Sequence, residues 1–143
     1  MTRFLFDTAV FVYARGTDHP YRQPCRGLVE AARTGRITGE GSVELVQEYA
    51  RLLLRRGLAP VLVRDDARDV AALFRNHDFE EADLHLALNL VADHPAMGMR
   101  DGVHAATALR RGIPLVVSPD HGFDSVPGLE RLDPADALSR LTT

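Results

Sequence analysis

Four acidic residues lie where carboxylates from distant parts of the chain could meet. Asp7 follows a short apolar run that predicts a buried first strand, and Asp120 comes just after a longer apolar run over residues 113–118. Asp101 falls in the first turn of a predicted helix, and Glu48 lies well inside another. Ligands of open parallel sheets bind beyond the carboxyl ends of the strands, so Asp7 and Asp120 could share one site.

The chemistry of such a cluster is that of a divalent cation. Neighbouring carboxylates repel one another unless a cation lies between them. Oxygen ligands are those preferred by Mg²⁺ and Mn²⁺, and two such ions about 4 Å apart can activate water against a phosphodiester. The alternative for each residue is plainer. A strand-end Asp is often a loop residue, and an Asp in a first helical turn is often a cap. Periodicity alone does not show that the four residues converge.

The apolar pattern predicts alternating strands and helices. The predicted strands cover residues 3–6, 35–39, 113–118 and 128–132. The predicted helices cover residues 25–34, 43–56, 66–75 and 101–111, with one more that follows Asp78 and ends before Pro95. Alternation of this kind predicts an α/β fold with a mostly parallel sheet, and the length of 143 residues predicts a single domain over residues 1–143.

Polar residues and glycines mark several helix ends. Ser42 suits the N-cap of the helix over residues 43–56, and Gly57 suits the position after its last turn. Asp78 and Glu81 have the spacing of a capping box.

Composition excludes several classes of protein. All 17 basic residues are arginine, which rules out a P-loop nucleotide site and a Schiff-base enzyme, because both need a lysine. The single cysteine, Cys25, cannot form an intrachain disulfide, so we expect a cytoplasmic location. We expect no signal peptide and no membrane span. The net charge of the chain is −3. The six Phe and three Tyr are scattered along the sequence, so no stacking platform for bases is predicted.

Four short blocks, taken together, resemble the motifs of PIN domains. They occur in the order of that family and span nearly the whole chain. They are Phe-Leu-Phe-Asp-Thr-Ala-Val at residues 4–10, Ser-Val-Glu-Leu-Val-Gln-Glu at 42–48, Met-Arg-Asp-Gly-Val-His-Ala-Ala at 99–106, and Val-Ser-Pro-Asp-His-Gly-Phe-Asp at 117–124. The compact length resembles VapC-type toxins, the PIN ribonucleases of toxin–antitoxin pairs.

The resemblance implies a three-layer α/β/α fold and an endoribonuclease that depends on Mg²⁺ or Mn²⁺. It implies an RNA substrate, a homodimer and a small antitoxin protein that blocks the site. The acidic quartet would be Asp7, Glu48, Asp101 and Asp120. Ser118 would supply the supporting hydroxyl, and Asp124 would be an additional acid near the metal.

Several alternatives stay open at this point. Glu44 lies one helical turn before Glu48 and could take its place, although the spacing from Ser42 favours Glu48. His104 lies one turn after Asp101, where a packed or supporting histidine is favoured over a metal ligand, and His121 could contact RNA or be a plain loop residue. The fold could also serve as a non-catalytic RNA- or protein-binding module. A receiver domain fits less well, because receivers use a lysine and this chain has none. A haloacid-dehalogenase-like phosphatase also fits less well, because the chain lacks the Asp-x-Asp motif of those enzymes after its first strand.

Overall fold

A computed structural model describes residues 2–143, and within them the chain forms five strands and seven α-helices. The strands are β1 (Phe4–Phe6), β2 (Gly39–Ser42), β3 (Phe74–His77), β4 (Leu115–Val117) and β5 (Glu130–Leu132). The helices are α1 (Thr8–Arg15), α2 (Arg22–Arg33), α3 (Val43–Arg55), α4 (Pro60–Ala71), α5 (Glu81–Asp93), α6 (Met99–Arg110) and α7 (Pro134–Leu141), with a short 3₁₀ helix at His121–Phe123.

The strands form one sheet in the order β3-β2-β1-β4-β5, and every pairing is parallel. β1 is the central strand, and its residues 4–6 pair in register with residues 115–117 of β4. The first residues after β1 and β4 therefore emerge side by side at one edge of the sheet. The predicted α/β fold with a mostly parallel sheet is confirmed.

Alternation along β1 divides the apolar core between the two faces of the sheet. Phe4 and Phe6 pack on one face with side chains of α1, α2, α3, α4 and α7. Leu5 and Val116 pack on the other face with α5 and α6. Helices thus cover both faces, which confirms the three-layer architecture and explains why β1 and β4 are apolar throughout.

Glycines in β2 make room for the aromatic part of the core. A Cβ at Gly39 would lie 2.2 Å from the Phe6 ring, and one at Gly41 would lie 2.8 Å from the Phe74 ring. A buried strand is usually recognised in a sequence by its apolar side chains, and in β2 glycines stand at the positions where such side chains are expected. The prediction of a strand over residues 35–39 was therefore wrong in position, and β2 begins where that segment ends.

Other elements also differ from the predicted ones. The helix predicted over residues 66–75 begins six residues earlier, at Pro60, because proline suits the first helical turn. Its predicted end is instead part of β3, an edge strand whose middle residues are exposed. The sequence analysis did not predict α1, which starts directly after Asp7, or the C-terminal helix α7.

The predicted caps of α3 are confirmed, and the predicted capping box is not. The Ser42 hydroxyl accepts a hydrogen bond from the Glu44 backbone N–H, and Gly57 has a φ of +86°. The capping box of α5 joins Glu80 to Asp83, two residues after the pair Asp78 and Glu81. Asp83, the second residue of this capping box, is buried and faces α6.

Asp83 ties α5 to α6 through charged hydrogen bonds. Its Oδ1 accepts from Arg110 at 2.7 Å and from Arg111 at 2.9 Å, and its Oδ2 accepts from the Glu80 backbone N–H at 2.8 Å. Burial alone would raise the pKa of Asp83, but these donors hold it well below its usual range. Helix α6 also carries Asp101, so the link between α5 and α6 helps to position that acid.

None of the helices within residues 2–143 is long and apolar enough to cross a membrane.

We expect Asp83→Asn to lower the free energy of unfolding by about 2–3 kcal/mol at pH 7, the range for a hydrogen-bonded charge. Because the folded pKa of Asp83 is depressed, its contribution is present above about pH 4 and is lost as the pH falls further. Urea denaturation between pH 3 and pH 7 measures both effects. Glu81→Gln, an exposed position in the same turn, is the matched control. Equal losses for the two variants at pH 7 would contradict this role.

Candidate active site

Two of the predicted acids follow the neighbouring strands β1 and β4. The Asp7 backbone N–H donates to the Val117 carbonyl at 3.0 Å, which extends the strand pairing to the end of β1. The Ser118 hydroxyl donates to Asp7 Oδ2 at 2.5 Å and accepts from the Asp120 backbone N–H at 2.9 Å. The buried hydroxyl of Ser118 therefore joins the two strand ends, consistent with the supporting role expected for it.

The carboxyl groups of Asp101 and Asp120 lie close together beside Gly122, where an added Cβ would be 3.3 Å from Asp101 Oδ2 and 3.2 Å from Asp120 Oδ1, and they can share a hydrogen bond when one of them is protonated. Burial raises the pKa of Asp101 to about 8, and this bond and the negative charges of Asp7 and Asp120 act in the same direction. The hydrogen bond from Asp101 lowers the pKa of Asp120, which also accepts from the Gly122 backbone N–H at 2.8 Å. The surroundings thus favour the protonated form of Asp101 and the ionised form of Asp120.

Glu48 reaches the same place from α3. Its Oε1 lies 3.0 Å from Arg100 Nη1, and its Oε2 accepts from the Thr8 hydroxyl at 3.0 Å. Burial alone would raise the pKa of Glu48, but the hydrogen bond and charge of His104 and the charge of Arg100 lower it overall. Glu48 is accordingly a half-buried carboxylate held by partners on α1 and α6.

His104 lies between two of the acids and is fully enclosed. Its Nε2 is 3.1 Å from Thr8 Oγ1, 3.4 Å from Glu48 Oε2 and 3.5 Å from Asp7 Oδ1. Burial opposes protonation, but the hydrogen bond to Glu48 and the charge of Asp7 raise the pKa of His104 overall. Burial likewise raises the pKa of Asp7, against the effects of His104 and Ser118. His104 therefore contacts both Asp7 and Glu48 from inside the core, a position consistent with the supporting role that the sequence favoured.

The four acids line one cleft of about 480 Å³ at the carboxyl edge of the sheet. The polar part of the wall also includes Thr8 and Arg100. The remaining wall is apolar or aromatic, and consists of Ala9, Val12, Tyr13, Tyr21, Leu52 and Pro119. Residues separated by more than 110 positions in the chain are thus brought together by the pairing of β1 with β4.

Two other candidate residues lie elsewhere. Glu44 borders a separate depression beside Phe79, so Glu48 is the glutamate of α3 that lies with the other acids. Asp124 is outside the group that lines the cleft, and its two oxygens contact Arg131 Nε at 2.8 Å and His121 Nδ1 at 2.9 Å. His121 itself is largely exposed.

The donor atoms of the cleft fit an oxygen-ligated cation by type. Within residues 2–143, however, no three Asp, Glu, His or Cys side chains stand close enough together to hold a metal ion as they are arranged. The carboxylate oxygens are instead engaged by Arg100, His104, Thr8 and Ser118. Cation binding would therefore have to favour the ionised form of Asp101, against its raised pKa, and compete with the contact between Arg100 and Glu48.

Thr8 and Arg100 were not predicted as site residues from the sequence. Both follow or precede an acid of the cleft by one position, and this adjacency was the available signal. Tyr13 and Tyr21 were also missed, since nothing in their spacing links them to the acids.

Comparison with known proteins gives a consistent result. Residues 4–129 match the model of the PIN domain family. Ribonuclease VapC7 of Mycobacterium tuberculosis is 34% identical over 128 residues, which cover 83% of each chain. Ribonuclease VapC23 of the same species is 36% identical over 120 residues, which cover 83% of this chain and 94% of that relative.

Solved structures of low sequence identity share the fold. M. tuberculosis VapC20, described as a sarcin–ricin loop cleaving toxin, has a TM-score of 0.66 and 14% identity, with coverage of 90% of this chain and 99% of that one. VapBC2 from Rickettsia felis, bound to a DNA fragment from its promoter, has a TM-score of 0.66 and 16% identity, with coverage of 92% and 100%.

The buried hydroxyl of Thr8 contacts both Glu48 and His104, so its removal leaves two charged groups short of a partner. We expect Thr8→Val to lower the free energy of unfolding by about 1–3 kcal/mol. Thr107→Val is the matched control, because the buried Thr107 hydroxyl donates only to a carbonyl within its own helix. Urea denaturation at pH 7 measures the difference. Equal stability of the two variants would show that Thr8 does not support the acids.

Proposed function

Because this chain belongs to the PIN domain family, we propose that it is an endoribonuclease that needs Mg²⁺ or Mn²⁺ and acts as the toxin of a toxin–antitoxin pair. The observation that carries the proposal is the convergence of Asp7, Glu48, Asp101 and Asp120, from four separate segments, on one cleft. The relatives named ribonucleases VapC7 and VapC23 support the same activity. Cellular RNA as the substrate would place the protein in the cytoplasm.

The proposed cation ligands are the four acids of the cleft. When bound, a divalent cation supplies hydroxide near neutral pH and stabilises the charge of the leaving oxygen. Ser118 orients Asp7, while Thr8 and His104 orient Glu48. Asp124, which the family resemblance would place near the metal, is assigned instead to the outer edge, where it holds His121 and Arg131.

Arg100 is the cleft residue suited to the RNA itself. Its side chain is largely exposed, and Glu48 is its acidic partner. Arginine can bind phosphate oxygens in a bidentate way. If a cation neutralises Glu48, the guanidinium becomes free to hold the scissile phosphate. In-line attack by water on that phosphate gives 5′-phosphate and 3′-hydroxyl ends.

We expect purified protein to cut RNA at discrete positions with Mg²⁺ or Mn²⁺, and to lose this activity in chelator. Asp101→Asn should reduce the rate by at least about 100-fold, since even residues that only support metal ligands account for 10- to 100-fold. Gel analysis of total RNA followed by sequencing of the new ends measures both results. Asp136→Asn, at an exposed position in α7, is the matched control and should cut normally.

Two outcomes would count against this mechanism. Products ending in 2′,3′-cyclic phosphate that form equally well in chelator would exclude the metal-dependent reaction. Absence of cleavage, together with full biological effect of Asp101→Asn, would favour a non-catalytic RNA- or protein-binding module.

Exposed apolar side chains suggest where partners bind. Leu84 and Leu88 lie one turn apart on α5, and Leu84 borders a depression with Phe79 and Val103. We propose that this face pairs with its own copy in a homodimer, since a two-fold interface uses the same patch on both chains. A second apolar group, at the corner between α3 and α4, consists of Leu54, Leu58, Val61 and Leu62.

The corner between α3 and α4 suits the antitoxin, because α3 leads from the cleft to this corner. Leu52 lines the cleft, and Leu54 and Leu58 follow it along the chain. A segment bound at this corner could extend into the cleft and cover the acids.

We expect Leu88→Asp to convert a dimer into a monomer, because it places a charge in the centre of the proposed two-fold interface. Leu62→Asp removes a leucine from the other apolar group that is somewhat more exposed than Leu88, and this variant should stay dimeric. Light scattering during size-exclusion chromatography measures the mass. A wild-type chain that is monomeric at every concentration, or a Leu88→Asp variant that stays dimeric, would contradict the proposed interface.

A further inference from the structure

We propose that Tyr13, His19 and Tyr21, together with Arg56, form a subsite that binds a nucleotide next to the scissile phosphate. The proposal rests on the endoribonuclease function. In addition, it assigns the residues that hold one base and one phosphate outside the acidic cleft. We call these four residues the aromatic subsite.

The three rings form a cluster although they are separate in the sequence. The ring centroids of Tyr13 and His19 are 4.6 Å apart, those of Tyr13 and Tyr21 are 5.4 Å apart, and those of His19 and Tyr21 are 5.6 Å apart. Helix α1 ends at Arg15, and the following turn returns the chain past Tyr13. The fold thus brings together aromatic residues that are scattered in the sequence.

The cluster adjoins the acidic cleft. Tyr13 and Tyr21 line the cleft itself. Tyr13 also lines a neighbouring depression of about 450 Å³ with His19, Arg15 and Arg56. The cleft and the depression share Tyr13 and Val12, so a single strand with one phosphate at the acids can continue directly over the rings.

Hydrogen bonds hold two of the three rings, those of His19 and Tyr21, in place. The Tyr21 backbone N–H donates to His19 Nδ1 at 3.1 Å, and the Tyr21 hydroxyl contacts Asp133 Oδ2 at 3.1 Å. His19 is exposed, whereas Tyr13 and Tyr21 are half-buried against the core. A ring that is fixed before binding loses little conformational entropy when a base stacks on it. Since Nδ1 of His19 accepts a hydrogen bond, Nε2 carries the proton and can donate to the base or the sugar.

The charges beside the rings suit a phosphate. Arg15 forms an ion pair with Asp66. Within residues 2–143, by contrast, no carboxylate lies within 4 Å of the Arg56 guanidinium. An arginine without an acidic partner beside aromatic rings matches how proteins bind single-stranded nucleic acid, with bases on rings and phosphates on cations.

The test measures binding and cleavage separately. Binding uses the full chain with Asp101→Asn, to prevent cleavage, and a short single-stranded RNA of uridines with one 2-aminopurine, a base whose fluorescence falls on stacking. We expect His19→Ala to weaken binding about 10-fold and to reduce the quenching, because one stacked base accounts for about that factor. His85→Ala, an exposed histidine on α5, is the matched control.

Arg56→Ala should change a different quantity. One lost phosphate contact lowers the slope of log affinity against log salt by about 0.7 for a single strand. The quenching of 2-aminopurine should persist at saturation, and Arg55→Ala, next to it at the exposed end of α3, should leave the slope unchanged. In the protein with Asp101 intact, His19→Ala and Arg56→Ala should raise KM with little change in kcat, as expected for uniform substrate binding.

The outcomes separate this proposal from the function on which it rests. If RNA is cut but His19→Ala and Arg56→Ala behave like their controls, the aromatic subsite is wrong and the nuclease stands. If RNA is not cut but binding depends on His19 and Arg56, the subsite stands as an RNA-binding surface and the nuclease function is wrong. Loss of neither activity nor binding in any variant, including Asp101→Asn, would overturn both.

Discussion

The site depends on a carboxylate that is almost removed from water. Asp7 is 5% exposed and stands at the end of the central strand, where its charge must be balanced by protein groups. Ser118 donates to one oxygen, and His104 lies near the other. One of these partners follows β4 and the other belongs to α6, so the balance requires that both elements be in place. The burial of one charge thus couples strand pairing to helix packing.

This requirement extends outward to the remaining acids. His104 also contacts Glu48, which Thr8 and Arg100 hold from other sides. Asp101, one turn before His104, is buried next to the negative charges of Asp7 and Asp120, which raise its pKa further. Acidic groups therefore outnumber the basic groups at the cleft, and the raised pKa of Asp101 favours a protonated form that lowers the negative charge. A divalent cation on the same oxygens would also compensate the negative charge, and with two positive charges instead of one. The cleft can therefore be stable without a metal ion and still bind one.

How far the sequence determines these features differs from one element to the next. Asp7 and Asp120 were found because they end apolar runs, and Asp101 because it starts an amphipathic helix. By contrast, β2 could not be found from its apolar residues, since Gly39 and Gly41 face the core in order to make room for Phe6 and Phe74. The inner partners of the acids were also inaccessible, because the contact of Thr8 with Glu48 and His104 arises only when α1, α3 and α6 pack together.

The net charge of −3 conflicts with RNA binding only if charge is averaged over the chain. Four of the 20 acidic residues line one cleft, and without a cation that cleft repels phosphate. The adjoining depression is different, since it joins aromatic rings to Arg56 and so attracts a strand without opposing it. A strand could therefore dock at the rings before its scissile phosphate enters the cleft, and entry would require that cations first neutralise the acids. Metal binding and correct placement of RNA are therefore coupled. Without a cation, the carboxylates of the cleft repel the phosphate, and with a cation the same carboxylates hold the ion that attracts it.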